Sequence, residues 1–207
     1  MVVYAVIVVL GYLLGSFPTS LMLLRALGRA DVRFQGSRSA GATNVLRVHG
    51  WRLALTVAVL DIAKGWGAAA LLPQLAELAA QPIPGWLAPA TGLAATVGHV
   101  WPLFVGFRGG KGVATAAGVV LALRPAVFLV ILLVFIVVAA RSRVVSIGSL
   151  SAALSLPVAW LALSLLPEKA AHPSAMVYSV LVAAFLVFTH RANLRNLLAG
   201  TEPRLGG

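Results

Sequence analysis

Between Ala126 and Ala140 the chain reads Ala-Val-Phe-Leu-Val-Ile-Leu-Leu-Val-Phe-Ile-Val-Val-Ala-Ala, with no charge and no polar alternation. A membrane barrel strand alternates apolar and polar residues. A run that is apolar throughout satisfies its backbone in hydrocarbon only as a helix. Similar runs recur along the sequence. Of the 207 residues, 60% are hydrophobic and 10% charged, whereas a soluble domain is about half apolar and about a quarter charged. The fold expected is an all-α, polytopic integral membrane helical bundle, with residues 1–207 forming a single membrane domain.

Seven spans are expected, some short or broken: Val2 to Leu24, Leu53 to Leu72, Trp86 to Phe107, Val113 to Leu123, Ala126 to Ala140, Ile147 to Leu166 and Ser174 to Thr189. In the first, Pro18 within Gly15-Ser16-Phe17-Pro18 kinks or loosens the helix, and Ser16 is expected to satisfy a freed carbonyl. The fourth would be about 16 Å long at 1.5 Å per residue, half of a ~30 Å hydrocarbon core. Residues 113–140 form either one kinked helix or two helices joined at Arg124-Pro125. Two helices leave only Arg124 and Lys169 outside, with Lys64 inside a span, and collect every other lysine and arginine on one face. The positive-inside rule therefore favours two, with the N-terminus outside and the C-terminus cytoplasmic. The 113–123 stretch could also be re-entrant.

The formal charge of +11 follows from that inner face and from contact with lipid head groups, so no nucleic-acid partner is expected. Without cysteine there is no disulfide, no thiolate metal site and no cysteine nucleophile. The four histidines are scattered, so neither a metal centre nor a cofactor is expected. The first apolar run lacks a basic start and a cleavage site, and reads as a span rather than a signal peptide. No obligate protein partner is evident.

The polar residues gather in four stretches of the inner face. Arg108-Gly109-Gly110-Lys111-Gly112 is a glycine turn with two positive charges leading into a helix, the usual composition of a phosphate cradle. Gly36-Ser37-Arg38-Ser39-Ala40-Gly41-Ala42-Thr43-Asn44-Val45-Leu46-Arg47 brings small residues, hydroxyls and arginines, which suits a second phosphate-binding turn. Arg143-Val144-Val145-Ser146 is the third. The fourth runs from His190 to Glu202, where His190 and Asn193 share a helical face with Arg195 beside them. Within the spans, Asp61 and Lys64 lie three residues apart and can pair. His99 precedes Trp101-Pro102, where a broken helix end is expected. No Walker A loop or nucleophile elbow is present, so catalysis would rest on positioning and on stabilising phosphate oxygens.

These motifs, in this order, resemble those of the bacterial acyl-phosphate:glycerol-3-phosphate acyltransferases. The family's GSGNxGATNxxR is similar to Gly36–Arg47, GGKGVAT is matched in full by Gly109–Thr115, and HRxNxxRLLxGxE is similar to His190–Glu202. Gly15–Pro18, Asp31-Val32-Arg33, Asp61–Gly65 and Arg143–Ser146 also fit, so the resemblance spans nearly the whole chain. It implies transfer of a fatty acyl group from acyl phosphate to the 1-hydroxyl of sn-glycerol 3-phosphate, in the bacterial inner membrane with the active site facing the cytoplasm. It also implies roles. Ser37, Arg47, Lys111, His190 and Asn193 would carry the chemistry. Ser39, Thr43, Asn44, Gly109, Gly110, Gly112, Arg143, Ser146 and Arg195 would bind substrate. Asp61, Lys64, His99 and Glu202 would support the site.

Three positions depart from the pattern: Arg38 and Ser39 stand where the family has glycine and asparagine, and Asn196 where it has arginine. By side-chain chemistry His190 is the best general base, the alternative being a phosphate oxygen of the substrate. A transporter of a phosphorylated metabolite would use a similar basic face, but its polar lining should reach both sides of the membrane, and here the outer loops are short and nearly uncharged.

Overall fold

The computed structural model describes residues 1–165 and 173–205. Of the outer turn expected over Pro167 to Pro173, only Pro173 falls within them, and Lys169 lies outside. The described residues are helical and contain no strand. Their contacts divide the chain into two compact units, Met1–Leu123 and Arg124–Gly207.

The first unit begins with α1 (Val2–Ser16) and α2 (Thr19–Ala26), which meet at a 41° bend. Phe17 is extended there, with φ −61° and ψ 119°, as the residue before a proline prefers. The break frees carbonyls, but Ser16 does not take one, because its buried Oγ has no hydrogen-bond partner. The Phe17 carbonyl instead accepts from Thr19 N–H at 3.0 Å and from Lys64 Nζ at 3.2 Å. A lysine buried in a neighbouring span thus meets the need assigned to the serine.

After a short 3₁₀ turn, Val32–Phe34, come α3 (Ala42–His49) and α4 (Trp51–Ala70). Helix α3 falls inside the segment read as a polar loop. A further 3₁₀ turn and α5 (Leu75–Leu78) extend α4, and α6 (Leu87–Val100) stops just before Trp101-Pro102. The unit closes with α7 (Val113–Leu123).

Small residues let these helices meet backbone to backbone. Gly11 and Gly15, one turn apart on α1, face the main chain of Thr91 and Ala95 on α6, where a Cβ would collide. Gly65 on α4 meets Thr115 on α7 in the same way, and Gly118 on α7 meets Ile62 on α4. In lipid, burying apolar side chains gives no net drive, so this close van der Waals packing supplies much of the cohesion.

The second unit contains α8 (Pro125–Ser142), α9 (Val145–Ser164), α10 (Pro173–Thr189) and α11 (Arg191–Leu198). Arg124 is extended at φ −158° and ψ 93°, so α7 and α8 are separate helices, as the charge placement required. Its guanidinium ties the start of α8 to the end of α9 through Ser164 Oγ at 3.1 Å and the Leu163 carbonyl. Arg143, left-handed at φ 57°, ends α8.

Among the described residues, by length and composition alone, Trp51–Leu78, Pro125–Ser142 and Val145–Ser164 are each long and apolar enough to cross a membrane, and counting each bent pair as one span raises the number to five. Each of the seven expected segments contains a helix. At 14 and 11 residues, α6 and α7 fall short of a full crossing.

Candidate active site

In the first unit, the loop before α3 is organised by Asn44, whose side chain is 1% exposed. Its Oδ1 accepts the Ser37 N–H at 2.9 Å, and its Nδ2 faces the carbonyls of Val32, Gln35 and Ser39 at 2.9–3.0 Å. The amide expected to bind substrate is therefore occupied in shaping the loop. Ser39 Oγ accepts from Gly41 N–H at 3.3 Å. Arg38 is left-handed at φ 57°, a conformation that glycine adopts freely and that costs other residues about 1 kcal/mol. Ser37, Arg38 and Arg47 are exposed, and Thr43 is half-buried.

The glycine turn docks against this loop. Ala40 N–H donates to the Gly109 carbonyl at 3.2 Å, and Gly110 packs against the Cα of Gly41. The turn's own N–H groups are less bare than its composition suggests. Gly109 N–H donates to the Val100 carbonyl and Gly110 N–H to the His99 carbonyl, both at 3.2 Å. The turn leads into the N-terminal end of α7, where the helix dipole favours an anion. Gly112, left-handed at φ 88°, makes the turn into that helix. Lys111 is half-buried and Arg108 exposed.

Next to the turn is a small cleft whose walls include Thr19, Lys64, His99, Arg108, Gly109 and Gly110. One carboxylate oxygen stands behind it. Asp61 Oδ1 accepts from Thr19 Oγ1 at 2.6 Å, pairs with Lys64 Nζ at 2.8 Å and lies 3.4 Å from His99 Nδ1. The pairing of Asp61 with Lys64 is the one their spacing predicts, and His99 joins it. Thr19 was missed in the sequence because nothing local links it to a residue 42 positions away. Arg33, within the supporting Asp31-Val32-Arg33 motif, pairs with Asp31 at 2.8 Å and also reaches the Val105 carbonyl at 2.9 Å, 72 positions away.

In the second unit Glu202, 8% exposed, gathers the motif residues. Its Oε1 accepts from Ser146 Oγ at 2.7 Å and Asn193 Nδ2 at 2.6 Å, and its Oε2 from Asn196 Nδ2 at 3.3 Å. The asparagine that departs from the family pattern thus contributes a neutral donor. The chain beyond Glu202 returns to α8, where Leu205 N–H donates to the Arg143 carbonyl at 2.7 Å. Arg143 and Arg195 are exposed.

His190 stands at the bend between α10 and α11, 2% exposed, with Nδ1 2.8 Å from the Leu186 carbonyl. A carbonyl only accepts, so Nδ1 carries the hydrogen, and the lone pair of the neutral ring is on Nε2.

The family model described as glycerol-3-phosphate acyltransferase matches residues 5–200. A glycerol-3-phosphate acyltransferase of Thermosynechococcus vestitus is 41% identical, with 99% of this chain and 96% of that protein covered. One of Chlorobaculum parvum is 37% identical over 99% and 97%. Among solved structures, the glycerol 3-phosphate form of PlsY, an integral membrane glycerol 3-phosphate acyltransferase, is similar at a TM-score of 0.83 and 35% identity, covering 98% of this chain and 96% of that one. Its lysophosphatidic acid form matches at a TM-score of 0.82 and the same identity.

Proposed function

Since the chain belongs to the glycerol-3-phosphate acyltransferase family, we propose that its acyl donor is an acyl phosphate and its acceptor the 1-hydroxyl of sn-glycerol 3-phosphate. The products are lysophosphatidic acid and inorganic phosphate. The reaction runs in the bacterial inner membrane and opens to the cytoplasm, the side on which the arginines of the motif loops belong under the positive-inside rule. The N-terminus lies outside and the C-terminus in the cytoplasm.

The observation that carries this reading is the hydrogen bond from Ala40 to Gly109. It joins a loop bearing Ser37 and Ser39, which leads into α3 with Arg47 in its last turn, to a turn bearing Lys111, although the two lie far apart in sequence. Together they offer hydroxyls, cations and a helix N-terminus, a donor set matched to phosphate oxygens.

In the reaction, the glycerol hydroxyl oxygen attacks the acyl carbonyl carbon. The new ester C–O bond forms as the bond between that carbon and the phosphate oxygen breaks. Lys111, Arg47 and the N–H groups opening α7 stabilise the charge that collects on the departing phosphate, at about 3 kcal/mol per well-placed donor. By side-chain chemistry His190 is the group we assign to the hydroxyl proton, its Nδ1 lying 2.8 Å from the Leu186 carbonyl. Asn44 and Glu202 act by shaping the loop and the tail.

Purified protein in detergent, given acyl phosphate and glycerol 3-phosphate, should release inorganic phosphate and form lysophosphatidic acid without any membrane gradient. Uptake of a phosphorylated metabolite by sealed vesicles, with no release in detergent, would overturn the reading in favour of transport. For the base, His190→Ala should lower kcat by roughly 10²–10⁴-fold and remove the acidic limb of the pH–rate profile. Near-normal turnover would transfer the proton to a substrate phosphate oxygen instead.

A further inference from the structure

We propose that His99 is a positioning residue for the glycine turn, with its ring serving as the template on which Gly110 is laid. The proposal rests on the acyl-transfer reading above, and three features of the structure lead to it.

The first is the reason for glycine at position 110. Gly112 is left-handed, but neither Gly109 nor Gly110 has a positive φ, so backbone conformation does not call for glycine at 110. Space does. A Cβ there would collide first with His99 Nε2, then meet Cε1 at 3.0 Å and the Gly41 Cα at 3.2 Å. The residue is glycine because an imidazole ring occupies the place of its side chain.

The second is that the same histidine holds the turn through its backbone. Its carbonyl accepts the Gly110 N–H at 3.2 Å, and a Cβ on Gly109 would strike that carbonyl oxygen. Ring and main chain of one residue therefore constrain two consecutive glycines, with Lys111 immediately after them.

The third is that the ring is itself held. His99 is 7% exposed, and its Nδ1 faces Asp61 Oδ1, which also receives Thr19 and Lys64. The carboxylate keeps the imidazole edge-on to the turn, leaving Nε2 and Cε1 against Gly110. Thr19, Asp61 and His99 thus form a connected path from the start of α2, through α4, to the end of α6, and the glycine turn rests at its end. The charged and titratable groups around His99 are Asp61 and Lys64 from α4, with Arg108 on the same cleft wall.

The test uses a steric exchange in the full-length enzyme. Gly110→Ala alone should lower kcat/KM by about 100-fold, the cost of moving a catalytic loop by about an ångström. His99→Asn keeps a donor for Asp61 but removes the atoms that meet the new methyl group. In the Gly110→Ala background it should recover at least about 10-fold of the activity, a non-additive result for two residues in contact.

A second readout separates positioning from simple loss of folded protein. Loss of folded protein lowers Vmax and leaves inhibition by inorganic phosphate unchanged, whereas a displaced turn raises the inhibition constant of inorganic phosphate. His99→Asn alone should raise it by about 10-fold, the smaller effect of a loosened rather than displaced turn. A double variant equal to the product of the two singles, or an unchanged inhibition constant in His99→Asn, would overturn the proposal. If the unaltered enzyme makes no lysophosphatidic acid, the acyl-transfer reading fails instead, and the two failures are distinct.

Discussion

Asp61 and Glu202 are both nearly inaccessible, at 1% and 8% exposure, and each is the hub of its own compact unit, yet they are satisfied in different ways. Asp61 draws on a cation three residues along the same helix, with a threonine and a histidine added from other helices. Within its unit, the donors to Glu202 include one hydroxyl and two amides, from Ser146, Asn193 and Asn196. The first arrangement is anchored by an ion pair that α4 makes as soon as it forms. The second exists only when α9, α11 and the tail have come together. A charge inside a span is costly unless a partner is close at hand, and helix α4 provides one by its own periodicity.

The sharpest way to break the contrast is to remove Asp61. Asp61→Ala leaves the Lys64 ammonium buried without its counter-ion and should cost about 3–5 kcal/mol, read as a lower thermal midpoint in detergent. Adding Lys64→Met should recover most of the loss. If the double variant is no more stable than Asp61→Ala, the pair is not what holds α4.

A smaller loss is expected on the other side. Glu202→Gln keeps the shape of the hub but turns an amide N–H₂ toward donors that need an acceptor, which should cost about 1–3 kcal/mol. The same thermal measurement checks it, and an unchanged midpoint would mean that the tail is held by other contacts.

The smallest effect belongs to a half-buried analogue of the Asp61 pair. The hydrogen bond from the Arg33 side chain holds the Asp31 carboxyl below the usual carboxylate range, against a smaller opposing effect of burial. A depressed folded pKa means that the stabilising contribution is present at neutral pH. It is lost as pH falls below the unfolded carboxylate value of ~4. Asp31→Asn should therefore cost no more than about 1 kcal/mol at pH 7, and the difference from the unaltered protein should shrink as pH falls from ~4 through the lowered folded pKa.

Much of the site was legible because its chemistry is local in sequence. The Asp61–Lys64 spacing, the glycine turn and the Pro18 break each follow from a few adjacent residues, and each is present. What was not legible concerns where polar atoms go. Asn44 reads as a substrate amide, and its hydrogen bonds with Ser37, Val32, Gln35 and Ser39 turn it to the loop instead. Ser16 reads as the partner of a freed carbonyl, and Lys64 takes that part from another helix. Gly109 and Gly110 read as bare N–H donors, and the carbonyls of Val100 and His99 accept both.

By itself the sequence determined the helices, the membrane setting, the breaks and which residues carry charge, because each depends on hydrophobicity, proline geometry or helical spacing over a turn or two. Tertiary structure decided which of three neighbouring glycines answers to backbone conformation and which to space. It also decided which amides remain to meet a ligand. A buried donor must find an acceptor wherever one lies, and for His99, Thr19 and Ser146 that acceptor became available only when distant segments packed.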